Sequence, residues 1–271
     1  MIILKSKREK FLKKTKESVK EALKSRDMVL AATTRSIDEL DKVINVLVER
    51  LEDWYAIYFP ELQTKDRRKY VQIAHEFDKA NPDPKLLGKL LGREGAEKAI
   101  QKAGSSLGAD LKDEDIAEFK SFAEEILRLY DLREKYLVYQ EKLADEICPN
   151  ITYLAGPELA AKLISHVGSL QKLAMLPSST IQVIGAEKAL FKHLKDKKKV
   201  RPPKHGLIFQ HPKISMSPKK TRGKIARALA NKLSLAAKAD AFTKNFIAEK
   251  LKEDFESRFN EITEEYKKGK K

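Results

Sequence analysis

Along residues 37–58 apolar side chains recur at Ile37, Leu40, Ile44, Leu47, Leu51, Trp54 and Tyr58, alternating three- and four-residue steps with charges largely between them. Steps averaging 3.5 residues keep one side chain per turn on a single seam, so the stretch predicts a helix that packs lengthwise on another. A second long helix is expected from about Asp113 to Ile147, where Phe119, Phe122, Ile126, Leu129, Leu132, Tyr136, Tyr139, Leu143 and Ile147 recur every three or four residues. The two can pair as a hairpin. Between them Pro60, Pro82, Pro84, Gly88, Gly92, Gly95, Gly104 and Gly108 break the pattern, which predicts short helices at a hairpin tip. Three heptads fit either an ordinary helical bundle or an extended coiled coil. Both are all-α.

Cys148-Pro149-Asn150 ends the second long helix, because proline cannot donate to the preceding turn and restricts the residue before it. A domain boundary is expected there. Further helices are expected over 157–167, after Pro177, from Ala186 to about Lys195, from Ser217-Pro218 onward with Ser217 as N-cap, and from about Asp240 to Tyr266. The proline-bounded stretch 202–212 reads as an extended crossing segment. The expected organisation is a basic segment over 1–24, a coiled-coil domain with a helical tip over 25–149, an all-helical domain over 150–266, and a basic disordered tail over 267–271.

Charge sharpens that division. Residues 1–150 carry 29 Lys and Arg against 29 Asp and Glu, whereas residues 151–271 carry 26 against 11, so the net +15 resides in the second half. From Lys188 to Lys238 sixteen basic residues face one acid, Asp196. Repulsion on that scale is relieved most readily by a polyanion, and nucleic acid is the densest array of phosphates. The single Cys148 excludes an internal disulfide framework and a cysteine zinc site, and agrees with a reducing compartment. No apolar run approaches a membrane span.

Beyond Pro218, Lys220, Lys224, Arg227, Asn231 and Lys238 fall on one helical stripe, while Ile225, Leu229, Leu233 and Ala236 fall on another face. No acid occurs from Lys213 through Ala239. A cationic stripe held by an apolar face can track successive phosphates; the alternative is a solvated lysine face. Gly185-Ala186-Glu187-Lys188 marks the stop of one helix and the start of the next, where free N–H groups with Lys188 and Lys192 suit a phosphate or a partner's polar edge. Read bare, it is a helix–turn–helix connection. Phe191 can stack on a terminal base or serve the core. His205 and His211 flank an apolar run without neighbouring acids, which favours contact with a base over catalysis. P-loop, dinucleotide, zinc-protease and nucleophile-elbow motifs are absent, so no enzymatic chemistry, cofactor or metal is expected.

Four blocks in order, Gly185–Lys192, Pro203–Pro212, Arg222–Arg227 and Leu235–Asp240, closely resemble the Nop domain, and Ile37–Asp41, Glu52–Tyr55 and Phe59–Leu62 resemble that family's coiled-coil segment. The resemblance spans roughly residues 25–265 and is strongest to the archaeal Nop-domain core protein of box C/D ribonucleoproteins. It implies a non-catalytic scaffold for RNA-guided 2′-O-methylation, docking on a kink-turn guide RNA already bound by a ribosomal-protein-like K-turn protein. By that resemblance Gly185, Ala186, Glu187 and Lys188 would meet the K-turn protein. Lys188, Phe191, Lys192, Lys204, His205, Gln210, His211, Lys220, Arg222, Lys224, Arg227 and Lys238 would meet RNA. Lys192 stands where related sequences often have Arg, keeping the charge without the bidentate fork. Ile37, Leu40, Ile44, Leu47, Leu51 and Trp54 would pair two copies as a homodimer. Family members carry an N-terminal fibrillarin-binding domain of about a hundred residues, whereas some thirty precede the coil here, so a trimmed chain is expected and fibrillarin recruitment by it is not. The short tail points to an archaeal form, hence to archaeal cytoplasm. A spliceosomal relative and a purely structural coiled coil remain open alternatives; only the RNA-binding readings predict affinity that falls steeply with salt.

Overall fold

A computed structural model of the chain describes residues 2–24 and 26–269. Its helices are α1 (Ile2–Lys24), α2 (Arg26–Tyr58), α3 (Arg67–Glu76), α4 (Pro84–Ala103), α5 (Asp113–Ile147), α6 (Pro149–Ala155), α7 (Pro157–Val167), α8 (Leu170–Met175), α9 (Ser178–Val183), α10 (Glu187–Lys195), α11 (Pro212–Ser215), α12 (Arg222–Lys238) and α13 (Ala248–Lys268). A 3-10 turn at Leu207–Gln210 and a π turn at Ala239–Thr243 complete the regular structure. Among the described residues there is no strand, as the all-α reading expects. Packing divides the chain into two units: a hairpin unit, Ser36–Tyr136, and a C-terminal unit, Met1–Arg35 with Leu137–Lys271.

In the hairpin unit α2 and α5 lie antiparallel. Asp41 pairs with Arg133, Trp54 meets Phe122 and Tyr55 meets Phe119. Ile44, Val48, Leu51 and Tyr55 of α2 share a core with Phe119, Ala123 and Ile126 of α5 and with Tyr70, Val71, Ile73 and Leu87 of α3 and α4. The heptad seam therefore serves the hairpin itself: Ile37, Ile44 and Leu51 are buried within this chain, Leu40 and Leu47 partly so, and Trp54 stays 38% exposed. Tyr55, one residue off the seam, sits edge-on to Tyr58, Tyr70 and Phe119. At the tip, Asp66 and Asp83 cap α3 and α4 by accepting from Lys69 N–H and Lys85 N–H. Lys79 Nζ holds the loop before α5, donating to the carbonyls of Gly108 and Ala109 at 3.1 Å each.

In the C-terminal unit α12 is the central helix, with α6, α8, α9 and α13 packed around it. Ile225, Ala226, Leu229, Ala230, Leu233, Ala236 and Ala237 form its buried face, and the alanines let neighbours approach closely. α5 ends at Ile147, ahead of Pro149. Asp240 is a buried carboxylate, 1% exposed. It accepts from the N–H groups of Asn150 and Ile151 (3.1 and 3.0 Å) and from Asn150 Nδ2 (2.6 Å), while Asn150 Oδ1 accepts from Ile247 N–H at 2.7 Å. This network fixes the start of α6 against the chain that leaves α12.

Four expectations need correction. The helix beyond Pro218 starts at Arg222, because Thr221 Oγ1 donates to Pro218 O and Ser217 Oγ donates back to Lys213 O instead of capping. The 202–212 stretch is not extended throughout, since Leu207–Gln210 turn as a 3-10 segment between the prolines. The last helix begins at Ala248 rather than near Asp240, after a π turn and Lys244 in a left-handed conformation. Lys267 and Lys268, expected in a disordered tail, complete α13; residues 270–271 lie outside the described residues.

Candidate functional site

Although α10 has apolar and charged residues on separate faces, none of its residues is buried. Phe191 is 67% and Leu194 52% exposed, beside the exposed Lys188, Lys192 and Lys195. A nine-residue helix does not persist on its own hydrogen bonds, so its start must be held. The preceding turn holds it. Gly185 takes φ 83, and a Cβ there would lie 2.7 Å from Leu207 Cγ. Its N–H donates to Glu187 Oε1 at 2.7 Å, and His166 of α7 reaches the same oxygen at 2.8 Å, with Nε2 as donor to the ionised carboxylate. Burial pushes the Glu187 carboxyl up, but the Gly185 amide, its own amide and His166 outweigh this and hold it below the usual range. Ala186 N–H closes the turn on Val183 O at 2.9 Å.

The proline-bounded segment is stitched to this turn. Gly206 N–H donates to Gln182 O (2.9 Å), Leu207 N–H to Ile184 O (2.6 Å) and Gln182 Nε2 to Lys204 O (2.7 Å). Only glycine fits at 206, since a Cβ there would come within 1.9 Å of Ile184 O. Two blocks about twenty residues apart thus form one substructure. On it His205 stacks with Phe209 (centroids 4.6 Å, planes 15° apart), and the Arg222 guanidinium lies 5.2 Å from the same ring. Burial, then the charges of Arg222 and Lys204, lower the His205 pKa, so this ring is neutral at pH 7.

Not every expected contact residue faces outward. Arg222 is half-buried and donates to Ser217 O (2.7 Å) and Ser215 O (2.9 Å), which fastens the loop ahead of α12. His211 packs edge-on against Phe255, and its Nδ1 accepts from Lys213 N–H at the start of α11. Burial holds its pKa low. Gln210 is exposed and accepts from Lys162 Nζ at 3.2 Å. Along α12, Lys224 pairs with Glu265 (3.0 Å), Lys232 with Asp254 (2.7 Å) and, ahead of the helix, Lys213 with Glu256. The acids absent from the local sequence are supplied by α13. Lys204, Lys220, Arg227 and Lys238 are exposed, with no acidic partner at ion-pair distance among the described residues. Arg227 and Lys224 border a groove of about 490 Å³ between α12 and α13 that Arg258 also lines.

Sequence reasoning missed Gln182, His166 and Phe209, whose parts depend on contacts distant in sequence. Leu194 and Lys195 carried a local signal in the two-faced pattern of 187–195. Among the described residues no three His, Cys, Asp or Glu side chains converge as a metal site, and no helix is long and apolar enough to cross a membrane.

Residues 36–261 match the family model described as "Nop: snoRNA binding domain, fibrillarin". Over 257 residues the chain is 44% identical to a NOP5 family protein of Methanocaldococcus jannaschii, covering 94% of this chain and 61% of that protein. It is 36% identical over 244 residues to human nucleolar protein 56, covering 86% of this chain and 41% of that one. In the crystal structure of a fibrillarin/NOP5P complex, one chain superposes with a TM-score of 0.56 at 29% identity, covering 93% of this chain and 78% of its own length. The chain thus spans about two fifths to three fifths of these curated relatives. Because the family match runs from Ser36 to Glu261 and takes in residues of both units, the chain belongs to the Nop family, with homology to archaeal NOP5 and to nucleolar protein 56.

Proposed function

We propose that this chain is an RNA-binding scaffold of a box C/D-type ribonucleoprotein that guides 2′-O-methylation, itself without catalytic chemistry. The observation that carries the reading is α10, a two-faced cationic helix with nothing buried, seated on a turn rigidified by Glu187, His166 and the Gly206 segment. Exposed Phe191 and Leu194 suit a protein surface or a terminal base pair, and Lys188, Lys192 and Lys195 suit phosphates. That pairing fits a composite target, a kink-turn RNA together with its bound K-turn protein. Lys204, Lys220, Arg227 and Lys238 extend the phosphate-contacting surface, whereas Arg222 and His211 shape it from within. Glu187 acts by positioning the turn that Gly185 and Ala186 present.

The solved neighbour, a chain of a fibrillarin/NOP5P complex, supports fibrillarin as a partner of the whole protein. Homodimerisation uses an edge of α2 beside the heptad seam, sharing only its exposed Trp54. Val43, Val46, Trp54 and Ile57 remain 46%, 56%, 38% and 53% exposed, at steps that again average a half-heptad around Arg50. A second copy would cover them.

A gel-shift titration against a box C/D kink-turn RNA, with and without the K-turn protein and at two salt concentrations, tests the scaffold reading. A shift that sharpens with the partner and weakens as salt rises is expected. Absence of a shift in every condition would overturn it.

A further inference from the structure

The hairpin unit is acidic as a whole, with 17 Lys and Arg against 22 Asp and Glu over residues 36–136. One concavity departs from that. A cleft of about 420 Å³ lies among the loop after α2, α3 and α4, and four lysines line it: Lys65, Lys69, Lys98 and Lys102. Its two lining carboxylates, Glu61 and Asp66, keep their charge, Glu61 within the field of Lys102, but four lysines against two leave the lining net positive, and both carboxylates are held by hydrogen bonds inside the fold. Glu61 accepts from Leu107 N–H and Ser106 Oγ–H, each at 2.7 Å, and Asp66 accepts from Lys69 N–H at 3.2 Å in capping α3. Lys98 pairs with Glu94 at 2.6 Å outside the lining. Among the described residues no carboxylate lies within ion-pair distance of Lys65, Lys69 or Lys102.

Like charges converging on a cleft within an acidic unit raise its potential locally and gain most from a multivalent anion. Leu62, Leu90 and Leu91 line the same cleft, so it offers apolar contact as well as charge. Ammonium groups meet phosphate oxygens as point charges, and the apolar lining suits the sugar or base beside them. The volume falls in the usual range for a small-ligand site, roughly 300–1,000 Å³. We infer that this cleft binds the phosphate groups of nucleotide units, presented by an RNA strand or by a free nucleotide. No aromatic side chain lines it, so binding there is tolerant of base identity and sensitive to salt. The site is separate from α10 and α12 and does not depend on the role proposed for them.

A reporter beside the cleft tests this directly. Cys148 is buried and its thiol is pushed up to about 12, so a thiol-reactive, environment-sensitive dye attaches selectively to Gln63→Cys on the cleft wall. The labelled full chain is titrated with a ten-residue oligouridylate and, separately, with ATP. A saturable response is expected whose midpoint rises about tenfold or more in Lys65→Ala/Lys69→Ala/Lys102→Ala. It is expected to survive in the corresponding Lys→Arg triple variant and in Lys220→Ala/Arg227→Ala/Lys238→Ala. Response to the oligouridylate alone assigns an RNA strand; response to ATP assigns a free nucleotide. No saturable response to either ligand overturns the proposal, as does a response that moves only with the α12 substitutions. The kink-turn gel shift repeated with the Lys65→Ala/Lys69→Ala/Lys102→Ala chain reads the α10 and α12 surface without the cleft, so the two proposals fail independently.

Discussion

Two lysine-rich helices of the C-terminal unit have opposite fates. α12 turns seven apolar residues into the core and has cations anchored by α13, whereas α10 buries nothing and leaves Phe191 and Leu194 in solvent. Similar charge in sequence therefore does not mean similar work. In α12 burial sets the helix and part of its charge is neutralised within the fold; in α10 a neighbouring turn sets the helix, and Lys188, Phe191, Lys192, Leu194 and Lys195 stay available to a partner.

The sharpest way to separate them is to truncate each. Leu229→Ala, at a fully buried position, is expected to lower unfolding stability by about 2–5 kcal/mol in urea titrations. Phe191→Ala/Leu194→Ala should leave stability within about 0.5 kcal/mol and weaken binding to the RNA–protein composite by about 2 kcal/mol or more. A stability loss in α10 comparable to that of Leu229→Ala would erase the distinction. Gly206→Ala tests how α10 is held: forcing a Cβ against Ile184 O should destabilise by about 1–3 kcal/mol and loosen the Gly185 turn, visible as faster amide exchange over residues 184–190.

The α12 cations divide by whether they are already paired. Lys220→Ala/Arg227→Ala/Lys238→Ala should weaken RNA binding about tenfold at low salt and flatten the slope of log affinity against log salt by about two, at roughly 0.7–0.9 per lost phosphate contact. Lys224→Ala/Lys232→Ala should change that slope less, since both lysines already face acids. The smallest effect concerns Glu187. Its pKa is depressed in the folded chain, so its contribution is present above the ordinary glutamate value and fades as pH falls through the depressed one. Because its side chain is 46% exposed, that amounts to a few tenths of a kcal/mol. Glu187→Gln should remove this acid-side loss in pH-dependent thermal unfolding while leaving the neutral-pH fold intact.

Much of the architecture was legible in the chain. The long helix from Asp113 ends where Cys148-Pro149 requires, and helices at Pro157–Val167, Ser178–Val183 and Glu187–Lys195 follow their punctuation. The Ser217-Pro218 start misled, because Ser217 hydroxyl found a nearer carbonyl at Lys213 and the helix waited until Arg222. The seam of α2 was legible as a seam, but an apolar stripe does not name its partner. Here Phe119 and Ile126 of the same chain occupy it. The Nop motifs marked Gly185, Lys188, Phe191 and Lys192 as a unit. They gave no sign that Gln182 and His166 brace it.

What the sequence determined by itself was local: helix periodicity, breaks at proline and glycine, the gathering of positive charge beyond residue 150, and the family blocks. Each depends on residues a few positions apart, which interact in any conformation the segment adopts. Only the tertiary structure decided which charges stay free. Lys224 meets Glu265 across 41 residues and Lys232 meets Asp254 across 22. Likewise Gly206 meets Ile184 only because the chain returns to the turn. Pairing over such separations depends on where packed helices bring their surfaces together, and no local pattern encodes that.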